Sequence, residues 1–394
     1  MSLLPVTEAQ ARLFAMAPAL PVETVPLADA AGRWTAREEQ ALRSQPSLDL
    51  SAMDGYAIRH ADLPGPWTVI GESAAGTGYA GALSPGEAVR IYTGAPMPQG
   101  ADCVLLQEDG TRVGDHLSLS GDGPGKPGKH VRKAGSDFTR GQIILPAGTR
   151  LTPRHVALAA LAGHGALPLP RRPRIALLST GSELVAPGAP LSAGQLPASN
   201  AVMLRAMLSA LPCEAVDHGI IADDLALLTN RLRHPGEADI IVSTGGASVG
   251  DHDLVKPALE AAGGSIDFWK IRMRPGKPLI CGRLGEALFL GLPGNPVSAF
   301  VTAHLFLLPL VRHMAGSPAP LPPRQDALLA TDMPATGERD DYIRAAWDED
   351  GRIRPLSQQD SAATWGLSQA DALILRPARS APATCGEAVS LLPL

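Results

Sequence analysis

The residues of this chain best suited to chemistry follow short apolar runs, in three segments rich in glycine and hydroxyl groups. The segments read LSTGSEL at 178–184, STGGASVGDHD at 243–253 and LPGNP at 292–296. Glycine-rich turns expose backbone N–H groups that bind anions, and a carboxylate beside them can hold a metal ion or face a phosphate. Glu183 and Asp253 are the candidate acids. The alternatives are a capped turn with a solvated acid at Glu183 and an ordinary helix N-cap at Asp253.

A cluster of cations lies between the second and third segments. The stretch FWKIRMRPGKPLI, at 268–280, carries four of them within eight residues: Lys270, Arg272, Arg274 and Lys277. In a chain with a net charge of −5, such a concentration of positive charge predicts an anionic ligand, with a solvated surface strand as the alternative. The acids, joined by Asp223 or Asp224 after another strand-like run, then indicate Mg²⁺-assisted chemistry on a phosphorylated or nucleotide-like substrate.

Composition and missing motifs argue against several other classes of protein. The four cysteines form no CxxC pair, and GxSxG, HExxH and a complete P-loop are absent from the sequence. The negative net charge argues against nucleic-acid binding. No apolar run approaches the ~20 residues of a membrane span, and the first 20 residues lack the basic start of an export signal. We therefore expect a cytoplasmic protein with reduced thiols and with neither a nucleic-acid partner nor a membrane anchor.

The sequence around these segments predicts several kinds of structure. Residues 22–150 hold short strand-like runs separated by Gly, Pro and Asp, which is typical of a β-rich lobe. Residues 174–314 alternate strand and helix patterns, which predicts a doubly wound sheet with ligands at the carboxyl ends of its strands. After a proline-rich linker at 317–324, the remaining short runs predict a small β-barrel. At the N-terminus, Thr7 and Gln10 predict a capping box that opens an amphipathic helix.

Seven motifs of the chain resemble those of the molybdopterin molybdenumtransferases, to which the E-domain of gephyrin is similar. They follow the family's order along nearly the whole sequence: SAMDGYAIR, IYTGAPMPQGADCVL, HVRKAGSDF, LSTGSEL, STGGASVGDHD, PGKPL and GLPGNPVSA. The resemblance implies an enzyme that cleaves adenylylated molybdopterin, inserts molybdate and releases AMP, forming molybdenum cofactor. It implies dependence on Mg²⁺, with Zn²⁺ as a second possibility, and hand-over of the substrate from a molybdopterin adenylyltransferase.

The implied fold is a multidomain α/β plus β fold in an elongated homodimer. A doubly wound, mostly parallel α/β domain at 171–315 would bind molybdopterin, with an N-terminal helix at 1–21 packed on it. A small connecting domain at 22–41 and 142–170 would carry an inserted β-rich domain at 42–141, and 316–394 would form a C-terminal β-barrel. The inserted domain would reach over the partner's α/β domain, so that Asp54, on a glycine hinge, acts in trans.

The motifs also imply a set of site residues. The catalytic acids would be Asp54, Glu183, Asp224 and Asp253, of which the last three would hold the metal, with Asp223 as an open alternative to Asp224. The residues expected to bind substrate are Thr93, Gly94, Thr180, Gly181, Ser182, Gly245, Gly246, Ser248, Gly250, Lys270, Arg274, Lys277, Pro293, Gly294, Asn295, Ser298, Arg344 and Ser361.

Two positions depart from the family pattern. Arg274 stands where some members have lysine, which would preserve oxyanion binding with altered geometry. For molybdate binding by the C-terminal domain, Arg344 matches the family better than Ser361, because the neighbours Trp365 and Gly366 do not fit the serine-rich stretch of many relatives.

Three other functions are compatible with parts of this pattern. A molybdopterin adenylyltransferase shares the sheet topology, but the β-rich insert and the C-terminal domain argue against that compact family. A molybdopterin-binding scaffold, like gephyrin at receptor tails, is a second alternative, although the sequence holds no partner domain of that kind. A tungstate-specific counterpart would use the same residues, so the sequence does not separate it from the molybdate enzyme.

Overall fold

The computed structural model describes residues 3–246 and 253–394. Its elements up to residue 170 are α1 (Val6–Met16), β1 (Val22–Pro26), β2 (Glu39–Gln40), β3 (Leu50–Ser51), β4 (Gly55–Ile58), β5 (Trp67–Ser73), β6 (Glu87–Ile91), β7 (Cys103–Leu106), β8 (Gly110–Val113), β9 (His116–Leu119), β10 (Val131–Arg132), β11 (Ile143–Leu145), α2 (Pro153–Leu161) and β12 (Ala166–Pro170).

Most of these strands form a β-rich lobe. One sheet has the order β7-β4-β6-β5-β9-β8, in which β5 and β6 are parallel and the other neighbours antiparallel. Its strands alternate their side chains between two cores, one with Tyr56 and Ile58 and one with Ala57 and Val89. The chain enters and leaves this lobe through a smaller unit in which β1 pairs with β12 and β2 pairs with β11.

An α/β unit follows. Its elements are β13 (Arg174–Thr180), β14 (Leu184–Val185), β15 (Leu196–Pro197), α3 (Ser199–Leu208), β16 (Glu214–Ile221), α4 (Leu225–Arg233), β17 (Ile240–Thr244), α5 (Val255–Ala261), β18 (Ser265–Trp269), β19 (Met273–Arg274), β20 (Ile280–Leu284), β21 (Ala287–Leu292), α6 (Pro296–Thr302) and α7 (Leu308–Met314).

The α/β sheet has the order β16-β13-β17-β21-β20-β18. The first four strands are parallel, and β20 and β18 are antiparallel additions. Helices α1, α3, α6 and α7 cover one face, while α4 and α5 cover the other. Because both faces are covered, the central strands need continuous apolar runs, and β17 and β21 are buried along their whole length. This arrangement brings the carboxyl ends of β13, β17 and β21 to one edge.

The helix over residues 296–314 contradicts the expectation that no apolar run approaches the length of a membrane span. A π-helical turn at 303–307 joins α6 to α7, so these elements form one continuous 19-residue helix. Its mean hydropathy of 1.4 and its length would suffice for a membrane span, which the sequence analysis did not anticipate. However, 83% of its most apolar 18-residue stretch is buried inside the protein, as expected for a core helix.

Helix α1 packs on the α/β unit, with Val6 and Leu13 in the shared core. The predicted capping box is wrong, because α1 begins after Pro5 and shows no side-chain cap. Instead, the amide of Gln10 donates to the carbonyl of Leu305 at 2.8 Å. A buried tertiary acceptor on the long core helix has replaced the local capping partner.

The C-terminal unit is a small barrel-like sheet. It contains β22 (Gln325–Leu328), β23 (Asp340–Trp347), β24 (Ile353–Pro355), α8 (Thr364–Ser368), β25 (Ala372–Arg376) and β26 (Ala388–Pro393). The strand order is β19-β23-β25-β26-β22, with β24 also on β23, and a bridge between Leu329 and Ile353 connects the two ends. Strand β19 of the α/β unit belongs to this sheet, so the two units share backbone hydrogen bonds. The predicted multidomain α/β plus β fold is confirmed, and the domain boundaries stay a prediction.

Candidate active site

A large cleft lies between the carboxyl edge of the α/β sheet and the C-terminal barrel. Its volume is about 1700 Å³, which exceeds the usual range for small-ligand sites of about 300–1,000 Å³ and leaves room for a dinucleotide-sized molecule. The predicted site residues that line it are Thr180, Gly181, Glu183, Gly245, Gly246, Asp253, Arg274, Lys277, Pro293, Gly294, Asn295, Ser298 and Ser361. Ser248 and Gly250 lie outside the described residues.

The three glycine-rich segments pack tightly against one another along this wall. Gly245 has φ +93°, and a Cβ there would lie 2.3 Å from the carbonyl oxygen of Thr180. Its N–H donates to the carbonyl of Leu292, and a Cβ added to Gly294 would make van der Waals contact with the Cα of Gly245 at 3.4 Å. Only glycine fits at position 245, because both the backbone conformation and the available space exclude a side chain. The strand ends therefore form a smooth backbone surface.

The structure distinguishes the neighbouring acids Asp223 and Asp224. Asp223 lines the cleft, and its Oδ2 accepts a hydrogen bond from the backbone N–H of Ser182 at 3.0 Å. Asp224 is the N-cap of α4, where its Oδ1 accepts from the N–H of Leu227 at 2.9 Å. Asp224 is not among the residues lining the cleft. Of the two alternatives, the structure favours Asp223 over the preferred Asp224, because Asp223 lines the cleft and Asp224 does not.

The carboxylates of the α/β wall suit magnesium better than zinc. Among residues 3–246 and 253–394, no group of three His, Cys, Asp or Glu side chains is close enough to form a metal cage from protein alone. Mg²⁺ needs only one or two carboxylates and completes its coordination with water and substrate phosphates. In the described lining neither His nor Cys occurs, whereas Zn²⁺ favours nitrogen and sulfur ligands. Glu183, Asp223 and Asp253 are the acids that fit Mg²⁺ by their chemistry.

Three cations face the cleft from two structural units. Arg274 ends β19 and Lys277 lies on the turn that follows, and both are exposed. Arg339 comes from the segment before β23. Arg339 was missed in the sequence because it lies in a charged stretch, GERDD, with no periodicity to mark it. Lys270 is not among the lining residues. Its Nζ lies 4.1 Å from the ring centroid of Trp269, a cation–π contact.

Arg344 lies beneath the cleft wall rather than in it. The residue is only 1% exposed, and its guanidinium donates to the carbonyls of Gln358, Asp360 and Ala363 at 2.8–2.9 Å. Burial lowers the pKa of Arg344 from its usual value. A guanidinium with these three acceptors is committed to the loop at 357–363, so the expectation that it meets the oxyanion directly is corrected to a positioning role.

The loop positioned by Arg344 joins the barrel to the α/β unit. The hydroxyl of Ser361 accepts from the side-chain amide of Asn295 at 2.9 Å, and the carbonyl of Ser361 accepts from the N–H of Val297 at 3.1 Å. Both contacts are made at the start of α6. Ser361 therefore lies in the cleft wall and links its two halves.

Asp54 lies on the β-rich lobe and does not line the cleft of its own chain. Its Oδ1 accepts from the N–H and the hydroxyl of Thr93 at 2.7 and 2.8 Å, and these bonds lower the pKa of Asp54. Gly94 donates to the carbonyl of Ser51 at 2.9 Å, so the two loops are fixed together. The exposed carboxylate is thus ionised and held in one orientation.

Gly55, next to Asp54, is glycine for a reason other than the expected hinge. Gly55 begins β4, and a Cβ at this position would lie 2.0 Å from the carbonyl oxygen of Leu105 on the neighbouring strand. Strand packing excludes a side chain here, so Gly55 is not a hinge.

Comparisons with known proteins match the chain throughout. Family models match residues 4–163 as the MoeA N-terminal region (domain I and II), 176–313 as a probable molybdopterin binding domain, and 326–394 as the MoeA C-terminal region (domain IV). The molybdopterin molybdenumtransferase of Haemophilus influenzae is 37% identical over 341 residues, which covers 85% of this chain and 84% of that protein. The Bacillus subtilis protein of the same name is 30% identical, covering 99% and 94%. The solved structure of the molybdopterin biosynthesis MoeA protein from Pyrococcus horikoshii OT3 superposes with a TM-score of 0.83 at 27% identity, covering 100% of each chain.

Proposed function

The chain belongs to the molybdopterin molybdenumtransferase family, transferases of molybdenum cofactor biosynthesis, and from this premise we propose that it inserts molybdate into adenylylated molybdopterin with release of AMP. The observation that carries the proposal is the two-sided cleft, with acids and glycine-rich strand ends on one wall and cations contributed from both units. A nucleotide-linked pyrophosphate and a small oxyanion are the ligands such a charge distribution suits.

The residues of the α/β wall are proposed to bind the pyrophosphate of the substrate. The backbone at Gly181 and Gly245–Gly246 offers a close approach without side chains, and Asn295 is the N-cap of the helix beside it. Glu183, Asp223 and Asp253 would hold Mg²⁺, which when bound neutralises charge on phosphate oxygens. The reaction breaks the P–O bond that joins AMP to molybdopterin. A water molecule supplies the oxygen that ends on the AMP phosphorus, and molybdopterin keeps its own phosphate. The two dithiolene thiols bind molybdenum in place of one molybdate oxygen, which leaves as water with the two thiol protons, and molybdenum keeps its oxidation state.

The cations are proposed to hold molybdate next to the dithiolene. Arg274 ends β19, which pairs with the barrel, and Lys277 lies on the turn that follows. Charge-assisted hydrogen bonds to an oxyanion contribute roughly 1.5–3 kcal/mol each. Ser361, fixed by Asn295, supplies a hydroxyl on the same wall. The positions of these groups on two units mean that the barrel and the α/β domain must stay docked during the reaction.

Asp54 is proposed to complete the cleft of a partner subunit in a cytoplasmic homodimer. Its carboxylate is exposed, ionised and oriented by Thr93, yet it does not reach the cleft of its own chain. A fixed, exposed acid on a projecting lobe is what a contribution in trans requires. A molybdopterin adenylyltransferase would supply the adenylylated substrate.

The test of the proposed function uses purified protein with adenylylated molybdopterin. AMP release and reconstituted molybdenum cofactor are measured with and without Mg²⁺ and molybdate. Cofactor formation that needs both supports the proposal. Binding of the adenylylated substrate without release of AMP would instead assign the scaffold role, and activity with tungstate alone would assign the tungstate counterpart.

A further inference from the structure

One carboxylate of the cleft lies on the barrel side among several arginines. Asp341, on β23, is half-buried and lines the cleft. No hydrogen bond or ion pair within 4.0 Å to its carboxylate is found in the described parts of the chain, 3–246 and 253–394. Burial raises the pKa of Asp341, while Arg274, Arg339 and Arg376 act in the opposite direction. A partly desolvated carboxylate without a donor is unfavourable unless a ligand supplies one.

The other acids along the barrel side of the cleft already have donors. Asp332 accepts from the N–H of Cys385 at 2.8 Å, and Asp360 accepts from the N–H of Ala362 at 2.7 Å. On the α/β side Asp223 accepts from Ser182. Asp341 differs from these three acids because no donor to its carboxylate oxygens is found among the described residues.

The strand register places cations on both sides of Asp341. Arg274 of β19 and Arg376 of β25 are its direct cross-strand neighbours. Arg376 is 5% exposed, and its Nη1 is buried without a hydrogen-bond partner among the described residues. Arg376 does not line the cleft, but Arg274 and Arg339 do. The cleft at this point thus presents the acceptor oxygens of Asp341 near the N–H donors of these two arginines, a pattern that fits a flat ligand edge with donors beside an acceptor.

We propose that Asp341 recognises the pyrimidine edge of the pterin, accepting hydrogen bonds from its N3–H and 2-amino groups while a flanking arginine donates to O4. This inference rests on the proposed function and adds a specificity-determining residue to it. The phosphates of the substrate carry only acceptors and are repelled by a carboxylate. Adenine does not match because its edge carries an acceptor, N1, beside the amino group, where a carboxylate requires a second donor. The ribose diol could donate to a carboxylate, but it carries no carbonyl oxygen to accept from the arginine.

The placement divides the substrate between the two walls. The pterin edge would lie at the barrel, over the junction of β19 and β23, and the pyrophosphate at the glycine-rich strand ends of the α/β unit. Asp341 itself lies outside the segment matched by the probable molybdopterin binding domain, which ends at residue 313. Docking of the barrel would then be required for pterin selectivity as well as for oxyanion binding.

The experiment compares the binding of free pterin, lumazine and AMP to the full-length protein. Lumazine has an oxo group in place of the 2-amino group, and the binding of both pteridines can be followed by their own fluorescence. We expect wild type to prefer pterin by at least about 10-fold, because a site built around a hydrogen bond rejects the analogue that lacks it. Asp341→Asn should weaken pterin binding by about 10- to 100-fold and abolish the preference, with AMP binding unchanged.

The controls separate this inference from the proposed function. Asp348→Asn, on the same barrel but outside the cleft lining, should bind pterin as wild type does. If wild type shows no preference between pterin and lumazine, the inference is overturned without any variant, even when AMP release and cofactor formation are normal. A loss of AMP binding, rather than of pterin binding, in Asp341→Asn would also overturn it by assigning the carboxylate to the nucleotide. Wild type that selects pterin but forms no cofactor would leave Asp341 as a pterin ligand and refute the transferase proposal.

Discussion

Ser182 and Asp223 form a reciprocal pair of hydrogen bonds beyond the carboxyl ends of the parallel strands β13 and β16. The backbone N–H of Ser182 donates to Oδ2 of Asp223 at 3.0 Å, and the N–H of Asp223 donates to Oγ of Ser182 at the same distance. This reciprocal pair fixes the turn after β13 to the turn after β16. It leaves Oδ1 of Asp223 for a ligand, while the adjacent Asp224 caps α4.

Separate substitutions of Asp223 and Asp224 distinguish a role in the site from a role in helix capping. Asp223→Asn should lower AMP release by about 100-fold, because a carboxylate near the metal and phosphate loses its charge. Asp224→Ala should instead lower the free energy of unfolding by about 1 kcal/mol, the usual effect of losing an N-cap, with AMP release within a few-fold of wild type. Steady-state AMP release and thermal melting of both variants give the comparison. A reversed pattern would return Asp224 to the site.

The sequence predicted the strand-end loops well because their residues are dictated locally. Gly245 must be glycine for the backbone it adopts, and a buried parallel strand such as β17 needs an apolar run. The sequence did not predict the role of a side chain when that role depends on a partner distant along the chain. Gln10 bonds to Leu305 rather than to a capping partner, and Arg344 is occupied by carbonyls 14–19 residues away. Asp341 was not identified, since only the pairing of β19 with β23 brings it into the cleft.

Substitution of Arg344 and of Arg274 by alanine should have different effects on stability and on the molybdate requirement. Arg344→Ala leaves three loop carbonyls without their donor, so we expect a loss of about 2–4 kcal/mol in the free energy of unfolding together with a higher molybdate requirement. Arg274→Ala, at an exposed position, should raise the molybdate concentration for half-maximal cofactor formation by about 10- to 100-fold at unchanged melting temperature. An Arg344→Ala protein of wild-type stability with a shifted molybdate dependence would show that its guanidinium meets the anion directly.

His304 should make the stability of the protein depend on pH. The side chain is 8% exposed, and burial, followed by the nearby charge of Arg312, lowers the pKa of His304 from 6.5 to about 4. Between these values the unfolded chain binds a proton that the folded protein does not, so stability is lost as the pH falls from 6.5 towards 4. At pH 5 the loss from this residue is about 2 kcal/mol.

Thermal melting at pH 7 and pH 5 tests the role of His304. His304→Phe keeps a ring against Phe300, with which His304 is stacked at 6.3 Å, and should show a clearly smaller drop between the two pH values than wild type. His116→Phe, at an exposed strand position, serves as the control and should retain the full drop. Equal drops in wild type and His304→Phe would refute the assignment.

Subunit mixing tests whether Asp54 acts in trans. Light scattering should give the mass of a dimer, and Asp54→Asn and Asp253→Asn should each lower AMP release by about 100-fold. After exchange of subunits at equal amounts, half of the dimers are mixed and each holds one intact site, so roughly a quarter of wild-type activity should return. A monomeric mass, or complete exchange without recovery, would contradict a shared site.

The central claim is that one cleft couples adenylate cleavage to molybdate insertion. The most direct measurement is a single-turnover reaction of wild-type protein with adenylylated molybdopterin, Mg²⁺ and molybdate, in which released AMP and reconstituted cofactor are counted in the same sample. The account predicts one AMP for each cofactor formed, with both products lost in Asp223→Asn and cofactor restored to Arg274→Ala by excess molybdate. AMP release without any cofactor, at every molybdate concentration, would contradict it.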